Sequence, residues 1–303
     1  MSNTKLSCLG AVKRNNSSSR PQVKTYALAS GCFDRSGSME NMAEQASVAF
    51  FNLIKDSKEN AEKNNISLSL TASSFDDITT IIFDNEDVKN ISLTHEEARN
   101  HLKPRGCTRL YATGIEEVNK LRENFKRLKK QHPEAKCTAS FLLFTDGIDN
   151  SSQGITKGDL SEAISAARDE GIVCLFTGAD QEATNIGASY GFRPSNCLRM
   201  SSLRRTSAES GFRATSAALQ RGISGGNAAF TQAERQSSMG MSDDDSDDDI
   251  SSPSSSIRIP AVNRVRRMLR MPHTPIPSLR TSAAPVPTLR SSGEPHSVDR
   301  FFG

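Results

Sequence analysis

The sequence has no tryptophan, only three tyrosines and 35% apolar residues over 303 positions. That apolar share is low for a globular chain. The apolar residues cluster in the middle, so the pattern predicts an ordinary domain diluted by polar tails. No stretch approaches the roughly 20 apolar residues that span a bilayer, which excludes a membrane-spanning helix. The first 24 residues lack the apolar core of a secretory signal. No Cys-x-x-Cys pair occurs among Cys8, Cys32, Cys107, Cys137, Cys174 and Cys197, and three of them (Cys32, Cys137 and Cys174) sit inside apolar runs. That usage suits buried thiols in a reducing compartment and predicts a cytoplasmic protein. A large charge surplus is also missing: 38 Lys and Arg stand against 35 Asp and Glu, for a net +3. This balance argues against nucleic acid as the main partner. No phosphate-binding glycine loop and no Gly-x-Ser-x-Gly elbow is present. His95 and His101 are too far apart on a helix to share a zinc ion, because six positions turn them about 120° apart.

What is present alternates two periods. Tyr26–Phe33, Ile66–Phe75, Ile78–Phe83, Cys137–Phe144 and Gly171–Thr177 read as strands. From Met39 the residues Met42, Ala46, Phe50 and Leu53 recur at helical spacing. Thr94 with Glu97 marks a capping box, and Arg109–Lys130, Leu160–Arg168 and Ser207–Gln220 read as helices. Strands alternating with helices predict an α/β fold: a doubly wound, mostly parallel sheet with helices on both faces. Within Tyr26–Phe33, Ser30 and Gly31 predict a weakened first strand. Residues 1–24 read as a disordered arm, 25–236 as the domain with a helical addition at 205–222, and 237–303 as a disordered tail. The tail holds 14 of its 67 residues as Ser and 8 as Pro, too little apolar surface to offset its ordering entropy. It carries an acidic block around Ser246, a candidate phosphorylation site, and a basic stretch from Arg258 to Arg270.

In a doubly wound sheet, ligands bind where loops leave the carboxyl ends of the strands. Three such places carry polar side chains. The first strand runs into Asp34-Arg35-Ser36-Gly37-Ser38, the central strand into Asp146-Gly147, and the long helix is preceded by Gly106-Cys107-Thr108. Two carboxylates with three hydroxyls form an all-oxygen set suited to a hard divalent cation. Read singly, each part has a plainer meaning. Asp34, Ser36 and Ser38 could cap the following helix, Asp146-Gly147 could be a turn, and Asp76-Asp77 reads as a hairpin tip. Asp149 and Asp180 read as solvated loop residues, with a partner groove as the alternative, and His132 has no evident partner.

Taken together, Asp34-x-Ser36-x-Ser38, Thr108 and Thr145-Asp146-Gly147 resemble, in order and spacing, the metal-ion-dependent adhesion site of von Willebrand factor A domains. Phe75-Asp76-Asp77, the segment from Thr177 to Ala183 and the helix around Phe212 are similar to the soluble intracellular type found in bacteria, phages and large viruses. The resemblance covers residues 25 to about 236. It implies Mg²⁺, with Mn²⁺ or Ca²⁺ as alternatives, held by Asp34, Ser36, Ser38, Thr108 and Asp146. It also implies a non-enzymatic module that binds a protein partner through an Asp or Glu on that partner. Two other functions are weighed. A metal-dependent phosphatase would also begin with an Asp at the end of its first strand, but Ser36 stands where its acid/base Asp belongs. A nucleic-acid scaffold would act through the basic tail, whose eight acidic and eight basic residues balance.

Overall fold

The computed structural model describes residues 24–179, 182–201 and 205–240. Most of the N-terminal arm, Asp180, and the tail beyond residue 240 with its acidic and basic blocks lie outside the described residues.

The chain folds as an α/β domain in which strands and helices alternate. In chain order they are β1 (Thr25–Asp34), α1 (Ala43–Lys63), β2 (Ile66–Phe75), β3 (Thr79–Asp87), α2 (His95–His101), α3 (Leu110–Gln131), β4 (Lys136–Thr145), α4 (Lys157–Asp169), β5 (Val173–Gly178), α5 (Ala183–Ser189), β6 (Cys197–Arg199), α6 (Arg205–Ile223) and α7 (Gln232–Ser238). The six strands form one sheet in the order β3-β2-β1-β4-β5-β6. All neighbours pair in parallel except β2 with β3, an antiparallel hairpin. This is the doubly wound, mostly parallel architecture expected from the alternation of periods.

The alternation of side chains along a strand sorts the core into two halves. Ala27, Ala29 and Phe33 of β1, Leu142 and Phe144 of β4, and Leu175 of β5 pack with α1, α2 and α6. Leu28, Cys32, Phe141, Leu143, Cys174 and Phe176 pack with α3, α4 and α5. Both faces of the central strands are therefore buried, and this is why they read as nearly unbroken apolar runs. Thr94 and Glu97 form the expected capping box at the start of α2.

Three local expectations are adjusted. The first strand is unbroken at Ser30-Gly31: β1 pairs along its length with β2 on one side and β4 on the other. Gly31 has a packing role. A Cβ there would lie 2.8 Å from the Phe33 ring, so the missing side chain is the space into which Phe33 folds before meeting Phe50 at 4.9 Å. His132 does have a partner, stacking on Tyr26 with ring centroids 3.6 Å apart. The helix expected from Met39 begins as a 3-10 turn, Gly37–Met42, and becomes α-helical at Ala43.

Candidate metal centre

The sheet order places a topological switch at β1 and β4. From β1 the chain winds outward through β2 and β3, then crosses back to β4 on the other side. The loops leaving these two adjacent parallel strands therefore diverge and leave a crevice between them. In register, Phe33 lies opposite Phe144, so Asp34 and Thr145 stand side by side at the mouth of that crevice.

Hydrogen bonds string the candidate ligands together. Asp34 is buried. Its Oδ1 accepts from the Ser36 amide at 2.7 Å, and its Oδ2 accepts from Thr145 Oγ1 at 2.6 Å. Ser38 Oγ donates to Asp146 Oδ1 at 2.9 Å. The Ser36 and Ser38 hydroxyls are 3.0 Å apart, so Ser36 is the donor to Ser38 when Ser38 serves Asp146. Thr108 approaches from the third loop. A Cβ placed on Gly147 would lie 3.6 Å from Ser38 Oγ and 3.9 Å from Thr108 Oγ1, so both hydroxyls border the same small space beside Gly147. All five residues expected from the sequence thus converge on one patch at the carboxyl edge of the sheet.

The electrostatics of this patch are one-sided. Burial pushes the Asp34 carboxyl up to about 6, against the hydrogen bonds from Thr145 and Ser36, and the nearby Asp146 adds to the rise. Burial also raises Asp146, partly offset by Ser38. Among the described residues neither carboxylate has a Lys, Arg or His ion-pair partner. Nor do three His, Cys, Asp or Glu side chains converge on one point. The donor set is therefore two under-compensated carboxylates and three hydroxyls, all oxygen. That chemistry fits Mg²⁺ or another hard divalent cation that retains some of its waters, and does not fit a soft thiolate site.

Asp76 shows the contrast. The hairpin-tip reading of Asp76 is incomplete, because its carboxylate is buried and doubly paired. Oδ2 accepts from Arg35 Nε at 2.8 Å and from Arg105 Nε at 2.5 Å. Oδ1 caps the Ile78 amide at 3.0 Å. Burial would raise this acid, but the Arg105 hydrogen bond, the Ile78 amide and the charges of both arginines outweigh it and hold Asp76 below the usual carboxylate range.

Asp149 is also more than a solvated loop residue. It accepts from the Tyr111 amide at 3.0 Å and from the amide and hydroxyl of Ser152, while Ser152 Oγ accepts from the Ala112 amide. Together they satisfy free amides in the first turn of α3. Asn150 accepts from the Thr108 amide at 2.7 Å, and the Thr108 carbonyl accepts from the amides of Asn150 and Ser151. The loop after Asp146 thereby fixes the backbone of Thr108. The Asp-x-x-Ser spacing of Asp149 and Ser152 signals only the bonds between those two residues; their reach to Tyr111 and Ala112, 38 and 40 positions away, left no signal in the sequence.

No known protein family matches the sequence, and no curated protein does. Among solved structures the chain is similar to proximal thread matrix protein 1 from the mussel byssus, at 15% identity over 65% of this chain and 47% of that one, with TM-score 0.43. It is similar to a von Willebrand factor type A protein from Catenulispora acidiphila, at 16% identity over 65% and 43%, with TM-score 0.40. A further likeness is to the manganese-loaded TRAP protein of Plasmodium vivax, at 20% identity over 57% and 64%, with TM-score 0.35. The chain spans less than half the length of the first two. The fold described above rests on this chain's own strand order and register, not on these distant likenesses.

Proposed function

We propose that the chain is a von Willebrand factor A-type domain that holds a divalent cation, Mg²⁺ foremost, through Asp34, Ser36, Ser38, Thr108 and Asp146. One observation carries the reading. Two carboxylates, one buried and one half-buried, are strung together by hydroxyls with no basic partner among the described residues, while the acid beside them, Asp76, has two arginines. Leaving two such acids under-compensated is costly unless a cation belongs between them. A bound cation supplies that positive charge and an open position for an outside oxygen.

The chain's own residues set what can bind. Thr145 and the Ser36 amide orient Asp34. Ser38, which is exposed, and Asp146, which is half-buried, open the patch to solvent. An oxygen-bearing group from another protein, a carboxylate of Asp or Glu, matches the charge and hardness of such a site. We read the domain as a binding module working in this way, inside the cell. The five described cysteines are all free thiols, one of them exposed, and no described helix is long and apolar enough to cross a membrane.

The test is thermal melting with millimolar Mg²⁺ or EDTA, on the wild type and on Asp146→Ala. A ligand that binds only the folded state at about 100 times its Kd stabilises it by ~2.7 kcal/mol, a rise of several degrees for a domain of this size. The rise is expected in the wild type and absent in Asp146→Ala. An unchanged wild-type melting point in Mg²⁺ would sink the proposal. A pull-down in Mg²⁺ against EDTA then looks for the partner.

A further inference from the structure

Asp76 lies at the centre of a clasp that joins two loops of the metal centre, 34–38 and 105–108, through the turn between β2 and β3, and it is not itself a candidate ligand. Arg35 stands between Asp34 and Ser36, and is almost wholly buried. Its Nε reaches Asp76, its Nη2 donates to Thr80 Oγ1 at 2.8 Å, and its Nη1 donates to the His101 carbonyl at 3.3 Å. Arg105 closes on the same Asp76 oxygen from the loop that ends in Thr108. The main chain runs parallel to these ion pairs. The Arg35 amide donates to the Phe75 carbonyl, the Arg105 amide to the Arg35 carbonyl, the Gly37 amide to the Gly106 carbonyl and the Arg109 amide to the Asp76 carbonyl. The Cys107 amide donates to Asp77 Oδ1 at 3.1 Å. The amides of Arg105, Cys107 and Arg109 are thus anchored on Arg35, Asp77 and Asp76.

We propose that Asp76, through Arg35 and Arg105, is a positioning residue that sets the cation affinity of the site by holding the 105–108 loop, and with it Thr108, against the Ser36–Ser38 loop. This rests on the metal-binding reading above. The two ends of the clasp differ in a way that makes the idea testable. Arg35 is buried, with 8% of its side chain exposed, and Asp76 with 2%. Removing Asp76 strips the buried Arg35 of its ion-pair partner, and removing Arg35 strips the buried Asp76 of one of its two arginines, so either endangers folding. The Arg105 side chain is 57% exposed. Its loss leaves no cation buried and leaves Asp76 paired with Arg35, but it frees the outer end of the loop one residue before Gly106. If the clasp were merely structural, its loss would show only in the melting point and leave the affinity unchanged. If it positions ligands, its loss shows in affinity.

The experiment compares wild type, Arg105→Ala and Arg99→Ala by calorimetric titration with Mg²⁺ and by melting in EDTA. Arg99 is the control. Its side chain is as exposed as that of Arg105, but its partner, Glu44 at 2.9 Å, is exposed too, and the pair lies outside the Arg35–Asp76–Arg105 ion pairs. Residues that orient metal ligands typically change affinity 10- to 100-fold when removed, so Arg105→Ala is expected to weaken Mg²⁺ binding about tenfold or more. Its melting point in EDTA is expected to fall by a few degrees, more than that of Arg99→Ala at about 2 °C, because the acceptor it leaves is buried. Arg99→Ala keeps wild-type affinity. Amide exchange in metal-free Arg105→Ala is expected to quicken at Gly37 and Cys107, which reports the loosened loop without any metal. Affinity within twofold of wild type in Arg105→Ala overturns the inference, as does an affinity loss of the same size in Arg99→Ala. A wild type that binds no Mg²⁺ fails the metal reading itself, and the exchange measurement still decides whether the clasp holds the loop.

Discussion

Thr145 Oγ1 donates to Asp34 Oδ2 at 2.6 Å, linking the ends of β4 and β1 across the point where the sheet reverses its winding. The bond does two things. It fixes the carboxylate of the first candidate ligand, and it counters part of the penalty that burial places on that carboxylate. The same hydroxyl accepts from the Gly147 amide at 3.1 Å, so one side chain sets both Asp34 and the start of the Asp146 loop. Thr145→Val keeps the shape and removes the hydroxyl. A buried acceptor left without its donor costs about 1–3 kcal/mol, so the variant is expected to unfold at lower urea in EDTA with an unchanged slope. Its Mg²⁺ affinity should fall as well. Wild-type stability in EDTA would show that the bond contributes nothing.

Asp34 gives the metal-free protein a pH dependence of definite sign. Its carboxyl is pushed up to about 6 in the fold, from 3.8 in the open chain, by burial first. The folded state therefore binds more protons than the unfolded state between these values, and stability falls as pH rises through them. Above pH 6 the full cost is present, of order 3 kcal/mol. Asp34→Asn removes it while keeping an acceptor for the Ser36 amide. In EDTA at pH 7.5 the variant is expected to melt several degrees above wild type, with the gap closing by pH 4. In Mg²⁺ the order should narrow or reverse, because only the wild type gains from the cation. A variant less stable than wild type in EDTA at pH 7.5 would contradict the sign.

Much of this was legible in the sequence, and the remainder was not for physical reasons. The sheet was readable because β4 and β5 are buried on both faces, which forces unbroken apolar runs such as Phe141–Phe144. The candidate ligands were readable because strand ends in a doubly wound sheet face one crevice, so position along the chain translates into position at the site. Asp76 does sit at the hairpin tip read from the sequence, but its ion pairs were not legible because they lie in residues distant along the chain. Arg35 is 41 positions away and Arg105 is 29, and an Asp-Asp pair at a hairpin tip looks the same with or without them. The packing role of Gly31 was not legible because propensity counts its lost side chain as a weakness, while packing uses the space for Phe33.

Gly106 tests the loop from the backbone side. It sits at φ +65°, and a Cβ there would fall 2.2 Å from Asp77 Oδ2, the carboxylate that accepts from the Cys107 amide. Gly106→Ala has to carry the left-handed conformation, which costs of order 1 kcal/mol, and must also push Asp77 away from the loop. The expected result is a modest loss of stability in EDTA with a larger loss of Mg²⁺ affinity, because Thr108 follows two residues later. Asp77→Ala in the same background relieves the collision but not the backbone strain, and also removes the acceptor of the Cys107 amide, so it should recover only part of the stability. Full recovery would mean that the strain is negligible.

Glu117 offers a prediction independent of the metal centre. It lies on the buried face of α3 and is 4% exposed, and its Oε2 has no hydrogen-bond partner among the described residues. Burial raises its carboxyl above the usual range, assisted by Asp84 and Glu116 and opposed by Lys120 and Ser73. A group raised in the fold is a cost once the pH exceeds its folded pKa, and is silent when both states are protonated. Glu117→Gln keeps the shape and some of the hydrogen bonding but cannot ionise. It is therefore expected to stabilise the protein at pH 8 and to make little difference at pH 4, measured by urea unfolding in EDTA. Mg²⁺ affinity should be unchanged, since Glu117 is two helical turns beyond Thr108. Equal effects at both pH values would mean that the side chain's shape, and not its charge, decides its contribution.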